Sequence, residues 1–354
     1  MLILLNHLDP DSTDLSSLPN FQRLKNHSLS FGQASVGHLF PIPQVSHLVI
    51  TAGRVPSHLP WTDNVFWDRA GVLGKKEQFH SLNRLTAPAF SKILSGVNSS
   101  LLRKIPGPAN SKLVIAPKID EAFPLASPTT ESRILTGDPT NTAGSEAWVT
   151  DGILSFFTAE PDWKMVMASF DNPNPDFLKS DEQLGRILDY LEQNNLLSET
   201  AIILTSHPKT SAKDPVLRYY LKDKDLKSVL KLGAALKGKR GISEVYYKKE
   251  ISGRFHYIRV FRSSPLQNQL PSLLQSLASE NSPDVLAFSA ESPPRIPLFV
   301  WSPNLRFDNP VIKNQIEQTH VRFVDLHPIV LALLGLPQDS GLDGSSLGIE
   351  SLIY

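Results

Sequence analysis

In the run AIILTSHPKT (201–210) an apolar, strand-like segment breaks into Ser, His and Pro, and His207 is its only titratable ring. An imidazole in that place could bind a metal, move a proton or simply hold a turn. A lone His at a strand end is more often a hydrogen-bonded structural residue than a ligand. Two other apolar runs end in the same manner: MLILL stops at Asn6, and WKMVMASF (163–170) stops at Asp171. In open α/β sheets, sites form at the carboxyl ends of the strands, so these three residues are candidates for one site. Asp171 precedes Asn-Pro, and an Asp in that context also serves to start a turn.

The elements that must position them follow from the apolar pattern. MLILL, KLVIAPKID (112–120), WKMVMASF and TAIILTS are short, continuous apolar runs of the kind buried in parallel sheets. SDEQLGRILDYLEQNN (180–195) is the clearest helix, with Leu184, Ile187, Leu188 and Leu191 on one face and a Ser180/Gln183 capping pattern. LPNFQRLKNHS is expected to form a short helix with Phe21 and Leu24 inward. EAWVTDGILSFFTAE is expected to be helical, with Trp148, Ile153, Leu154 and Phe157 in register. SHLVITAGRVP fits strand and helix equally. Region 125–145, rich in Ser, Thr, Pro and Gly, reads as loop. Strand–helix alternation predicts an α/β fold, with a large, mostly parallel central sheet flanked by helices. Residues 216–262 read as a small α+β insertion, and 1–215 with 263–354 as one discontinuous core. The insertion holds the most basic patch of the chain, most simply read as solvated faces.

With 354 residues, 41% of them hydrophobic and 20% charged, the chain can bury a sizeable core. Lys+Arg and Asp+Glu balance at 35 each, so no global field recruits nucleic acid or an anionic membrane, and neither is expected as a partner. The lack of cysteine removes disulfides, thiolate–zinc sites and a cysteine nucleophile together. No basic leader precedes the short apolar start and no apolar stretch reaches membrane-spanning length, so a cytoplasmic protein is expected. Gly-x-Ser-x-Gly, Walker-type and dinucleotide fingerprints are absent.

Three segments, in order, resemble the alkaline phosphatase superfamily, type I phosphodiesterase/nucleotide pyrophosphatase branch. The first is FPIPQVSHLVITAGRVPSHLPWTDNVFWD (40–68), with Phe40-Pro41, His47, Gly53, Pro56, His58 and Asn64 on or next to the family's positions. The second is the 180–195 helix running into TAIILTS. The third, 295–347, is similar to the family's closing strand, its helix ending in Leu-Gly and its Asp-Gly-Ser-Leu terminus. The 216–250 insertion also suits this branch.

The resemblance implies phosphoryl transfer to a Thr or Ser nucleophile beside two metals, usually zinc, held by six Asp and His ligands. Carried over by position, the set is depleted. Asn6 falls where the first-strand Asp belongs, and Asp9 on a non-ligand acid. The nucleophile falls on Pro43, followed by Gln44, with Ser46 the nearest hydroxyl. Asn64 matches the Asn that helps bind a phosphoryl oxygen. Asp171 keeps its carboxylate, but the His four residues on is Pro175. Ser206-His207-Pro208 replaces Asp-His-Gly, and the last His has no counterpart in 288–299. His320 and His327 come later and are not read as replacements. The implied site is Asn64 and Ser46 for catalysis, with Asp171, His207 and Asn6 for zinc or another divalent metal. Two readings follow: a pseudo-hydrolase keeping a pocket for a phosphorylated small molecule or a protein partner, or a diverged metal-dependent phosphodiesterase or phosphatase.

Overall fold

The computed structural model describes residues 1–8, 14–69, 71–74, 78–137, 145–170, 177–208, 216–222, 225–237, 239, 241–262, 270–288 and 295–353. Asp9, Asp171 and Pro175 lie outside them. Among the described residues the main sheet has seven strands, in the order β2-β13-β8-β1-β7-β5-β6. These are β1 (Leu2–Asn6), β2 (Leu29–Ser30), β5 (Lys112–Ala116), β6 (Arg133–Thr136), β7 (Met165–Phe170), β8 (Ile202–His207) and β13 (Leu298–Trp301). The pairings among β6, β5, β7, β1 and β8 are parallel, and β13 and β2 close one edge antiparallel. β1, β5, β7 and β8 are buried along their whole length, as their continuous apolar runs require.

Because side chains alternate along a strand, each central strand feeds two cores. Leu2, Leu4, Met165, Met167 and Ile203 face one side. There lie α2 (Pro43–Ala52), α3 (Ala87–Leu94), α4 (Leu101–Lys104), α5 (Ile119–Leu125), α10 (Pro310–Glu317) and α11 (Phe323–Leu333). Ile3, Leu5, Val166, Ala168 and Leu204 face the other, against α1 (Pro19–Lys25), α6 (Ser145–Ala159) and α7 (Leu178–Gln193). Asp181 of α7 accepts from the backbone N–H groups of Asn20 and Phe21 at 3.2 and 2.8 Å, which satisfies the open first turn of α1.

A hairpin of β3 (Val65–Asp68) and β4 (Gln78–Ser81) links the main body to a second, four-stranded antiparallel sheet. That sheet holds β9 (Val216–Tyr219), β10 (Glu244–Ile251), β11 (Arg254–Arg262) and β12 (Val285–Phe288), in the order β11-β10-β12-β9. One face carries α9 (Leu270–Leu277), and the other carries α8 (Leu226–Lys237). The strand β12 joins this sheet although it follows residue 262.

The structure settles one open reading and departs from two expectations. SHLVITAGRVP is helical: α2 is buried almost all round, so it shows no polar face by which to recognise it. It ends at Gly53, in the left-handed region at φ 62°, where a Cβ would meet Leu342 at 2.6 Å. Within 125–145, expected to be loop, β6 is a largely exposed edge strand. Ser180 does not cap its helix, which starts two residues earlier; its hydroxyl donates to Glu146 at 2.7 Å instead. Trp148 is 37% exposed, and α6 packs through Val149, Ile153, Phe156 and Phe157.

Candidate functional site

Asn6 and His207 are register partners on adjacent parallel strands, and the His7 N–H donates to the His207 carbonyl at 2.7 Å. By strand alternation Asn6, Ser169 and His207 share a face with Leu4, Met167 and Ile203. All three therefore point toward α2, α5 and α11 at the carboxyl end of the sheet. His7 turns out of β1 with φ 71°, an uncommon backbone for a residue with a side chain.

Above them sits Glu121 of α5, which the sequence reading did not single out. Its carboxylate is 3% exposed and accepts from Asn6 Nδ2 at 3.4 Å and from Ser169 Oγ at 3.2 Å, with Lys118 Nζ 3.6 Å away. Its backbone carbonyl accepts from His47 Nδ1 at 2.9 Å. A carbonyl only accepts, so His47 carries its proton on Nδ1 and presents a lone pair at Nε2.

The His47 and His207 rings meet edge-on, centroids 5.1 Å apart, and Phe323 of α11 packs against His207 at 5.2 Å. The buried Asn6 Oδ1, His47 Nε2 and both His207 ring nitrogens have no hydrogen-bond partner among the described residues. His38 completes the group, its Nε2 lying 3.0 Å from the Ser46 hydroxyl. Burial lowers His38 to about 3 and His47 to about 4, the latter against an opposing hydrogen bond to Glu121. Burial, reinforced by the neighbouring His47, His38 and His7, holds His207 well below its ordinary value. At neutral pH His38, His47 and His207 are therefore uncharged.

The proposed site residues divide accordingly. Asn6 and His207 come together. Ser46 is wholly buried one turn inside α2, its hydroxyl engaged with His38. Pro43, in the nucleophile's place, begins α2, and the next residue, Gln44, donates to Asp120 at 2.6 Å. Asn64 is exposed just before β3. Its N–H donates to the Asp63 carboxylate, and its carbonyl accepts from Leu82. Asp63 in turn receives Arg218 of β9 at 2.7 Å, and that guanidinium stacks over Phe40 at 4.7 Å. His58 and His327 are structural: His58 bonds Asp343 at 2.7 Å, and His327 bonds the Thr51 carbonyl at 2.9 Å.

The described donors do not fit a two-zinc site. Among the described residues no three His, Cys, Asp or Glu side chains lie close enough to share an ion. Asn6 and the imidazoles are neutral, and the adjacent Glu121 carboxylate is already shared by Asn6, Ser169 and Lys118. A dication held by the described residues alone would lack the anionic ligands that offset its desolvation.

No protein-family model and no curated protein matches the chain. Solved structures do. The chain superimposes on wild-type alkaline phosphatase PafA with a TM-score of 0.69 at 12% identity, over 97% of each chain. An inactive variant of murine ectonucleotide pyrophosphatase/phosphodiesterase 5 in complex with AMP gives 0.59 at 12%, over 100% of this chain and 99% of that one. The human counterpart gives 0.57 at 12%, with the same coverage. Likeness at this identity establishes the fold: it is alkaline phosphatase-like.

Proposed function

We propose that this alkaline phosphatase-like chain is a cytoplasmic pseudo-hydrolase, which has kept the pocket of its fold to bind a phosphorylated small molecule or a partner protein. The observation that carries this is the start of α2. Pro43 stands where the resemblance puts the nucleophile, and the nearest hydroxyl on the helix, Ser46, is enclosed and bound to His38. Across from it, Asn6 supplies an amide where a carboxylate ligand belongs, and the imidazoles are desolvated and neutral.

A second reading has its own support. Glu121 lies beside Asn6 and Ser169, and His47 beside His207. A carboxylate from α5 and an imidazole from α2 thus stand beside Asn6 and His207, as a rebuilt metal-dependent phosphoesterase would require.

Elemental analysis of untagged protein, with bis-p-nitrophenyl phosphate and p-nitrophenyl phosphate turnover on the same sample, separates the two. The pseudo-hydrolase reading expects no stoichiometric metal and no turnover. Near-stoichiometric zinc with chelator-sensitive turnover, abolished in His207→Ala, would establish the second reading instead. AMP and inorganic phosphate are the first ligands to try in thermal-shift titrations, because a structure of the same fold holds AMP.

A further inference from the structure

The four-stranded sheet has an inner and an outer face. The inner one packs through Val216, Tyr246, Leu286 and α9 around Phe40 of the main body. The outer one is covered by α8, seated on Val229, Gly233 and Leu236. The contact is close: a Cβ at Gly233 would meet Val260 at 3.0 Å. α8 is therefore the outermost layer, and its remaining surface has no partner within the described structure.

That surface has a definite chemistry. Leu226 and Leu230, one helical turn apart, are 56% and 44% exposed, and the exposed Ala234 continues the stripe. Lys227 and Lys231 form the next stripe. Lys222 and Lys239 flank the helix, and Lys237 lies over the Phe261 ring at 5.3 Å. The stretch KDKDLKSVLKLGAALKGKR (222–240) carries seven Lys or Arg against two Asp. One of these, Asp225, is occupied in bonding the N–H and hydroxyl of Ser228. Among the described residues neither Lys227 nor Lys231 has a carboxylate within ion-pair distance. The balanced charge of the whole chain conceals this local excess.

We infer that the outer face of α8 docks the protein on the surface of an anionic lipid bilayer. A convex helix offers no groove for a peptide. Nucleic acid would use the lysines but leave the leucines in water, and a second copy of the chain would bring like charges together. A lipid surface rewards both features: the leucines enter the headgroup–acyl boundary, and the lysine heads stay among anionic headgroups. The contact is peripheral, since among the described residues no helix is long and apolar enough to cross a membrane.

Flotation of the full chain with vesicles tests this. The protein should float with phosphatidylcholine vesicles that contain phosphatidylserine and not with phosphatidylcholine alone, and less so as salt is raised. Leu226→Ser/Leu230→Ser and Lys227→Glu/Lys231→Glu should each cut the bound fraction about tenfold. Both pairs are exposed, so melting followed by circular dichroism should stay unchanged; if one pair fails to fold, the other decides. Failure to float with phosphatidylserine vesicles overturns the proposal. Flotation that survives the leucine substitutions also overturns it, in favour of a plain polyanion surface, with heparin binding as the cross-check.

Discussion

At the strand ends of the seven-stranded sheet, His38, His47 and His207 are buried and neutral; beside the four-stranded sheet, Arg69, Asp284 and Lys248 are buried and charged. Both regions exclude water, and the difference is the counter-ion. The Arg69 guanidinium donates to both Asp284 oxygens at 3.0 and 2.9 Å, and Leu221 N–H adds a third bond at 2.8 Å. Lys248 sits 3.7 Å from the same carboxylate and donates to the Ser279 and Glu280 carbonyls. Burial lowers Lys248 only to about 8, because Asp284 opposes the shift, so it stays mostly protonated at neutral pH. The imidazoles have no such partner among the described residues and give up their charge instead. The two buried clusters, one neutral and one charged, are thus told apart by local compensation, not by depth.

Breaking the compensated region should produce the largest effect. Asp284→Asn leaves two cations buried without their anion, and the expected loss is about 3–5 kcal/mol of stability. Chemical denaturation measures it. Lys248→Met should cost clearly less, because the Arg69–Asp284 pair survives it. Equal losses would mean that Lys248, not Arg69, is the main partner.

Forcing charge into the uncompensated region comes next. Asn6→Asp replaces the donation to Glu121 with two carboxylates in a buried space. The expected cost is about 2–4 kcal/mol at pH 7, since one of the pair must stay protonated. The loss should shrink toward pH 5, where a protonated Asp resembles Asn. Denaturation at the two pH values checks both statements, and zinc should not restore stability if the pseudo-hydrolase reading is right.

The wild-type cluster predicts a pH dependence of definite sign. The folded values of His38 and His47, about 3 and about 4, lie below the ordinary 6.5. Between those limits the unfolded chain binds protons that the folded chain refuses, so stability is fully present above 6.5 and declines as pH falls toward 4. Each such His adds a slope of about 1.4 kcal/mol per pH unit well below 6.5. Replacing His47 with Gln should remove one increment of slope, read from denaturation midpoints across the window. A slope left unchanged would mean that His47 is already protonated in the fold.

This contrast was only partly legible in the sequence. The apolar runs located β1, β5, β7 and β8, and their polar ends located Asn6 and His207, because a strand buried on both faces leaves a one-dimensional signature. Glu121 left none. It meets Asn6 across 115 residues of chain and sits in a short helix whose first two residues KLVIAPKID takes as the tail of a strand. His47 was visible, but its placement depended on α2, whose full burial erases the amphipathic period. The small α+β character of 216–262 was visible, but β12, a four-residue run supplied from beyond that stretch, was not. Sequence pattern reports which residues avoid water; which polar groups then share the dry space is set by the tertiary fold.

The smallest expected effect is the one that isolates folding from docking. On α8 the inward Val229 and the outward Leu226 and Leu230 are aliphatic neighbours on the same helix, yet only Val229 is packed against the sheet. Val229→Ala should cost about 1–2 kcal/mol through lost burial. Leu226→Ser/Leu230→Ser should change stability by no more than about 0.5 kcal/mol, since both side chains already face water. Denaturation of the two variants side by side decides the matter. If the outward pair cost as much as Val229→Ala, the leucines would belong to the folded core, and their exposure could no longer be taken as a surface kept for a membrane.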